Sequence, residues 1–129
     1  MSKIIKVLLI DDEPDFTKPM AFWLQSKGYA VISADNAESG IKMVKEEAPD
    51  IIFLDLNMPV VDGIVALKRI RGFNKNVPVV VISAYVDRLR LTEARTYGIS
   101  GVFYKGEDFD QSLALIESVL KRHKNLKDK

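Results

Sequence analysis

The stretch IIFLDLNMP at residues 51–59 decides the fold of this chain. Four apolar residues lead directly to Asp55, and Pro59 follows four positions later. A short apolar run bounded by turn residues is typical of a β-strand that is buried on both faces. Burying a carboxylate without a partner is costly. Asp55 is therefore expected either to reach solvent at the rim of a sheet or to belong to a site that balances its charge.

The composition is that of an ordinary globular domain. Of 129 residues, 47% are hydrophobic and 29% are charged, which suits one domain with one core. The formal net charge of +1 creates no field that favours nucleic acid or an acidic membrane. The absence of cysteine excludes disulfides and thiolate chemistry. We recognise no signal peptide or spanning segment, so we expect a cytoplasmic protein with no membrane and no direct nucleic-acid partner.

Apolar runs alternate with segments of helical periodicity along the whole chain. The predicted strands cover residues 7–10, 29–34, 51–54, 79–82 and 101–104. Apolar strands interleaved with amphipathic helices predict a parallel sheet covered on both faces, and right-handed crossovers restrict this to a doubly wound α/β fold. In the first predicted helix, Pro14 suits the first turn, whereas Pro19 predicts either a late start or a kink.

Polar residues stand where the predicted strands end. They are Asp11 and Asp12 after the first strand, Asp55 after the third, Ser83 and Ala84 after the fourth, and Lys105 after the fifth. In a doubly wound fold these ends meet at one edge, where ligands bind. Carboxylates packed together repel unless a cation lies between them, and an all-oxygen site with open positions suits Mg²⁺. A carboxylate beside Mg²⁺ can act as a nucleophile in aspartyl-phosphate chemistry, with an ammonium group to neutralise the phosphoryl oxygens.

These residues and their spacing resemble the receiver domain of a two-component response regulator, of the single-domain CheY-like type. The matching motifs are Asp11-Asp12, residues 54–59 with Asp62-Gly63 beyond them, Ser83-Ala84, and Lys105. The resemblance covers nearly the whole chain, so residues 1–124 are assigned to a receiver domain and 125–129 to a polar, basic tail. It implies a five-stranded parallel (βα)5 sheet in the order 2-1-3-4-5, as in flavodoxin-like and CheY-like folds.

The resemblance also implies a phosphorelay role for the site. Asp55 would accept a phosphoryl group from a histidine kinase or a histidine phosphotransfer protein. Lys105, Ser83 and Ala84 would contact that group, and Ser83 would also carry the switch. Tyr85 and Asn57 occupy positions that tune the lifetime of the phosphoryl group.

A bound Mg²⁺ is implied by the same resemblance. Asp12 and Asp55 would bind the ion directly, Asn57 would bind it through its backbone carbonyl, and Asp11 would bind it through water. The all-oxygen set agrees with the ligands that Mg²⁺ prefers.

The output surface implied by the resemblance is formed by the fourth helix, the fifth strand and the last helix. It would bind an unknown downstream protein. Arg88, Arg90 and Arg95 make the fourth helix basic, which indicates either a solvated face or a docking surface. Leu115 and Val119 lie off the main apolar stripe of the last helix. They are either further core residues or an exposed patch for a partner or a weak homodimer.

Three positions depart from the family pattern, and one of them is Pro19 in the first predicted helix. Gly106 follows Lys105 where receivers usually have proline after a cis bond. Because a cis bond before another residue type costs roughly 3–4 kcal/mol, we expect a trans bond here. Val102 occupies the position of the switch aromatic, and valine cannot swing as a ring does. Tyr104 is on the same strand face but out of register, so the sequence does not support the usual coupling from Ser83 to an aromatic ring.

Three functions are compatible with these residues. The preferred one is a phosphorylation-controlled switch that catalyses only its own phosphoryl transfer and dephosphorylation, and is otherwise no enzyme. The second is a receiver-like module that binds partners constitutively, which Val102 and Gly106 favour. The third is a Mg²⁺-dependent phosphatase with an aspartyl nucleophile. It predicts an acidic residue two positions after Asp55 and a cap insertion, but Asn57 stands there and no insertion interrupts the chain.

Overall fold

Strands and helices alternate through the computed structural model, which describes residues 4–84 and 88–127, with side chains as far as Lys121. The strands are β1 (Lys6–Ile10), β2 (Ala30–Ala34), β3 (Ile51–Asp55), β4 (Val79–Ser83) and β5 (Gly101–Tyr104). The helices are α1 (Pro14–Ser26), α2 (Ala37–Glu47), α3 (Gly63–Phe73), α4 (Arg88–Arg95) and α5 (Phe109–Lys127). In the ranges that the structure describes, no helix combines the length and apolar character needed to cross a bilayer.

The sheet confirms the predicted doubly wound fold. Its strands are parallel and lie in the order β2-β1-β3-β4-β5. β3 is the central strand, and all five of its residues are buried. Helices α2, α3 and α4 pack on one face of the sheet, and α1 and α5 pack on the other. Burial on both faces explains why β3 and β4 are unbroken apolar runs rather than alternating ones.

The register of the strands brings the predicted functional ends to one edge. Asp55 lies opposite Ile82 in β4, and Ser83 lies opposite Tyr104 in β5. The carboxyl ends of neighbouring strands therefore stop at nearly the same level. Side chains that follow β1, β3, β4 and β5 are close together at this edge because of the register.

The start of α1 decides against one of the two alternatives raised by Pro19, and the kink stays a prediction. The helix begins at Pro14 and continues through Pro19 to Ser26, so the late start is wrong. Pro19 cannot donate the backbone bond that Asp15 would accept. Both residues are exposed, so water can satisfy the freed carbonyl. This exposure explains why a proline is tolerated inside the helix.

The face of α5 settles a second alternative. Val119 is buried, and Leu115 packs against the core that β3 shares with α1 and α5. Ser112 is also buried, whereas Leu113 is only partly so. The buried stripe is therefore wider than the predicted one, and it includes three of the four predicted residues, Phe109, Ile116 and Leu120. Leu115 and Val119 are core residues and do not form an exposed patch.

Gly63 allows α3 to start against the end of β3. A Cβ at this position would lie 2.1 Å from the carbonyl oxygen of Asp55 and 2.5 Å from the Cα of Leu56. Backbone atoms cannot give way as the end of a flexible side chain can. The contact between α3 and β3 therefore requires glycine, and it fixes the loop that follows Asp55.

We expect Gly63→Ala to lower the free energy of unfolding by about 1–3 kcal/mol, because the added methyl group overpacks a backbone contact. Urea denaturation measures this change. Gly72→Ala in the same helix is the matched control, since a Cβ there meets no atom within 4 Å. It should stabilise the protein by about 0.5–1 kcal/mol. Equal effects of the two substitutions would contradict this account of α3.

Candidate functional site

Four carboxylates meet at the carboxyl edge of the sheet. Asp11, Asp12, Glu13 and Asp55 each offer an oxygen atom, and these oxygens all lie within 4.8 Å of one another. Asp11 and Asp55 are buried, Asp12 is half-buried and Glu13 is exposed. The three predicted carboxylates are thus brought together. Glu13 was missed, although its position directly after Asp12 could have suggested it.

Strand alternation decides which side of the sheet each functional side chain takes. Successive side chains of a strand point to opposite faces. Asp55 follows Phe53 at a spacing of two, and Lys105 follows Phe103 in the same way. Phe53 and Phe103 both belong to the core beneath α1 and α5. Asp55 and Lys105 are therefore directed to the same side, and Asp11, two residues after Leu9, joins them.

A shared turn conformation orients the two buried carboxylates. One oxygen of Asp55 accepts a hydrogen bond from the backbone N–H of Asn57 at 2.9 Å. One oxygen of Asp11 accepts the equivalent bond from the N–H of Glu13, also at 2.9 Å. Aspartate commonly bonds the backbone two residues on in this way. The second oxygen of each carboxylate is consequently directed to Lys105.

The ammonium group of Lys105 lies among the carboxylates. Its Nζ is 2.9 Å from Oδ2 of Asp11 and 3.5 Å from Oδ2 of Asp55, and it also contacts Glu13. The ring of Phe16 lies 5.1 Å from Nζ and adds a cation–π contact. Only 13% of the Lys105 side chain is exposed. The lysine therefore acts as the internal counter-ion of the two buried aspartates.

The backbone around Lys105 reaches this position without a cis peptide bond. Within the described ranges every peptide bond is trans, which confirms the expectation for the bond before Gly106. Gly106 has a φ of 100°, in the left-handed region that favours glycine. The Lys105 N–H donates to the carbonyl of Ser83 at 2.8 Å. Gly106 therefore forms a turn with a trans bond, whereas the usual proline follows a cis bond.

Burial and charge act together on the pKa values of the site. Desolvation raises the pKa of Asp55 from 3.8 to about 6, against the opposing effect of the Asn57 N–H and with a further rise from the charge of Asp11. Desolvation also raises the pKa of Asp11. Burial alone would lower the pKa of Lys105, but Glu13 and the two aspartates raise it well above its usual range. Asp55 is consequently a basic carboxylate beside a permanently charged ammonium.

The remaining predicted residues lie on the α4 side of the sheet or in the segments that follow the strands. Ser83 is buried at the end of β4, on the α4 side of the sheet, and Ala84 beside it is exposed. Val102 packs against the core on that side, and Tyr104 shares its strand face, partly buried. Asn57 is exposed in the loop after β3.

Two further residues concern this site, one that was predicted for it and one that was not. Tyr85, for which a role in phosphoryl lifetime was predicted, lies outside the described residues. Arg90 contacts the loop after Asp55, although the sequence indicated only a basic helix face. No local sequence signal pointed to that contact.

The strand order and the arrangement of carboxylates and lysine define a class of protein, the receiver-like domains with an aspartate at the end of the third strand. The sequence model for the response regulator receiver domain matches residues 7–117. The chain belongs to this family. Its members are the receiver domains of two-component signalling systems, and they act as signalling switches.

Individual relatives agree with this assignment. CheY from Treponema pallidum is 35% identical over 119 residues, which cover 90% of this chain and 83% of CheY. The transcriptional regulatory protein KdpE of Mycobacterium tuberculosis is 32% identical over 117 residues, covering 91% of this chain and 51% of KdpE. The chain thus spans about half the length of KdpE. A CheY-like receiver structure from Methanospirillum hungatei superimposes with a TM-score of 0.91 at 17% identity, covering 95% and 98% of the two chains, which shows the fold alone.

We expect Asp55→Asn to stabilise the Mg²⁺-free protein at about pH 8 by about 1–3 kcal/mol. The folded-state pKa of Asp55, about 6, exceeds its ordinary value of 3.8. Stability due to the protonated carboxyl is therefore complete below the ordinary value and is lost as the pH rises through about 6. The gain from asparagine should shrink as the pH approaches about 4. Urea denaturation at several pH values measures it.

Asp35→Asn is the control for this pH series. Asp35 is exposed and follows β2 at the edge of the sheet, outside the carboxylate cluster. Its replacement should change the free energy of unfolding by no more than about 0.5 kcal/mol at any pH. A loss of stability in Asp55→Asn at about pH 8 would contradict the charge balance described above.

Proposed function

We propose that this protein is a phosphorylation-controlled switch in which Asp55 accepts a phosphoryl group from a histidine kinase or a histidine phosphotransfer protein. One observation carries the proposal. Asp55 is 2% exposed, has an elevated pKa and lies 3.5 Å from an ammonium group within a cluster of carboxylates. A surface aspartate at a strand end would need none of these neighbours.

The donor set of the cluster fits Mg²⁺. Carboxylates of Asp12 and Asp55 and the backbone carbonyl of Asn57 would hold the ion, and Asp11 would contact it through water. These are all oxygen donors, and the half-buried Asp12 leaves room for the waters that Mg²⁺ retains. The bound ion would neutralise charge on the phosphoryl oxygens.

The residues of the chain would then act as follows. The Asp55 carboxylate attacks the phosphorus atom of a phosphohistidine, and the new O–P bond forms as the N–P bond breaks. The electron pair of the broken bond stays on the histidine nitrogen, which takes up a proton. Lys105 neutralises a phosphoryl oxygen, while the Ser83 hydroxyl and the Ala84 N–H donate hydrogen bonds to others.

The output would be a change in partner binding on the surface formed by α4, β5 and α5. Two features of α4 support this choice, the exposed Leu89 and the exposed arginines Arg88 and Arg95. The partner would be a downstream protein. We further propose residues 1–124 as the receiver domain and 125–129 as a tail. A cytoplasmic location stays a prediction from the sequence.

A second function, constitutive binding without a phosphorylation switch, is favoured by one observation. Val102 packs against the core on the α4 side, at the position where an aromatic ring would report the state of Ser83. Val102 affects how a signal passes from the site to a partner, but it does not change the cluster of carboxylates and Lys105. We therefore keep the phosphorylated switch as the main proposal.

Acetyl phosphate with Mg²⁺ should add one phosphoryl group to the protein, and intact-mass spectrometry measures the product. Asp55→Asn should abolish the adduct because the nucleophile is removed, and the control Asp35→Asn should retain it. If no adduct forms and beryllofluoride also fails to bind, constitutive binding becomes the better account. Steady release of phosphate from many substrates would instead favour a phosphatase.

A further inference from the structure

Arg90 ties α4 to the loop that follows Asp55. Its Nη2 donates to the backbone carbonyl of Leu56 at 2.5 Å, and its Nη1 lies 3.5 Å from Oδ2 of Asp62. The side chain is only 28% exposed. A guanidinium presents a rigid fork of donors, so one side chain can contact both groups at once. Arg90 is therefore not part of a purely solvated basic face.

The two partners of Arg90, Leu56 and Asp62, lie at the two ends of the loop between β3 and α3. The carbonyl of Leu56 also accepts the N–H of Gly63 at 3.0 Å, which closes the loop. Asp62 caps α3 by using its other oxygen, Oδ1, to accept the N–H groups of Ile64 and Val65. Arg90 thus contacts the first residue of the loop, Leu56, and the N-cap residue of α3, Asp62.

This loop carries both a proposed metal ligand and a strained residue. Asn57, whose carbonyl is proposed to bind Mg²⁺, directly follows Leu56. Val60 is fully exposed and has a φ of 67°, which is unfavourable for a β-branched residue. A strained loop persists only if its surroundings hold it. The bonds from Arg90 are such a restraint, and they come from a different helix.

The other end of α4 is also attached to α3. Arg71 of α3 donates from Nε to the carbonyl of Tyr97 at 2.8 Å and from Nη2 to that of Gly98 at 2.9 Å. These carbonyls lie just beyond the end of α4. α4 is therefore joined to the β3–α3 segment near both of its ends. A change in the loop has a direct route to this helix.

We propose that Arg90 is a positioning residue that holds the β3–α3 loop in the geometry for Mg²⁺ binding and couples the occupied site to α4. The inference rests on the proposed function of the site. Arg90 would connect Asp55 with the surface formed by α4, β5 and α5 by a route that does not pass through Val102. Because coupling between two sites is reciprocal, an ion whose binding depends on the Arg90 contacts must in turn affect those contacts, and through them α4.

Isothermal titration with Mg²⁺ alone is the first test. Arg90→Gln should weaken Mg²⁺ binding about tenfold, a coupling of ordinary size. Arg90→Lys should recover part of the loss, since lysine can reach one partner but lacks the fork. Arg95→Gln, at an exposed position of the same helix, is the matched control and should bind Mg²⁺ within about twofold of the wild type.

Hydrogen exchange of α4 is the second test, and it separates positioning from a general loss of stability. Addition of Mg²⁺ and beryllofluoride should change exchange in α4 of the wild type and of Arg95→Gln, but not in Arg90→Gln. Thermal unfolding of each variant shows whether it is folded at the temperature used. If Arg90→Gln matches Arg95→Gln in both Mg²⁺ affinity and α4 response, the inference is overturned.

These tests do not depend on phosphorylation. A wild type that binds Mg²⁺ but forms no adduct with acetyl phosphate would contradict the proposed function, while the titrations would still decide the role of Arg90. A wild type that binds no Mg²⁺ would contradict both. Adduct formation with no difference between the Arg90 and Arg95 variants would contradict the inference alone.

Discussion

The contact of the Lys105 ammonium group with two buried carboxylates is the interaction on which the site depends. Two carboxylates in a poorly solvated place repel each other, and neither could stay ionised without a positive charge nearby. The lysine lies 2.9 Å from Asp11 and 3.5 Å from Asp55. This contact depends on the fold, because β1, β3 and β5 must end at the same level for Asp11, Asp55 and Lys105 to come together. The sheet order is therefore a condition of the charge balance.

Much of the fold and most of the charged site could be predicted from local sequence. Unbroken apolar runs indicate buried parallel strands, and polar residues directly after such runs must lie at the carboxyl edge. The same reasoning predicts Asp11, Asp12, Asp55, Ser83 and Lys105 at this edge from the sequence alone. It succeeds because strand ends and side-chain alternation are set by a few neighbouring residues.

Features that depend on the width of a buried helix face or on distant contacts could not be predicted in this way. Val119 is buried because the face of α5 that meets the core is wider than the stripe indicated by its sequence. Glu13 joins the site through the conformation of an exposed side chain. Arg90 contacts a carbonyl 34 positions earlier in the chain, and only packing of α4 beside α3 creates that neighbour. Because the position of α4 depends on this packing, α4 is suited to respond to a change in the loop after Asp55.

The central claim, that Asp55 is the phosphoacceptor of this cluster, is tested most directly by locating the acyl phosphate. After treatment with acetyl phosphate and Mg²⁺, borohydride reduces an aspartyl phosphate to homoserine, which peptide mass spectrometry assigns to one residue. We expect homoserine at position 55 alone. Modification at Asp11, Asp12 or Glu13 in place of Asp55 would contradict it, as would a phosphorylated protein with no reducible aspartate.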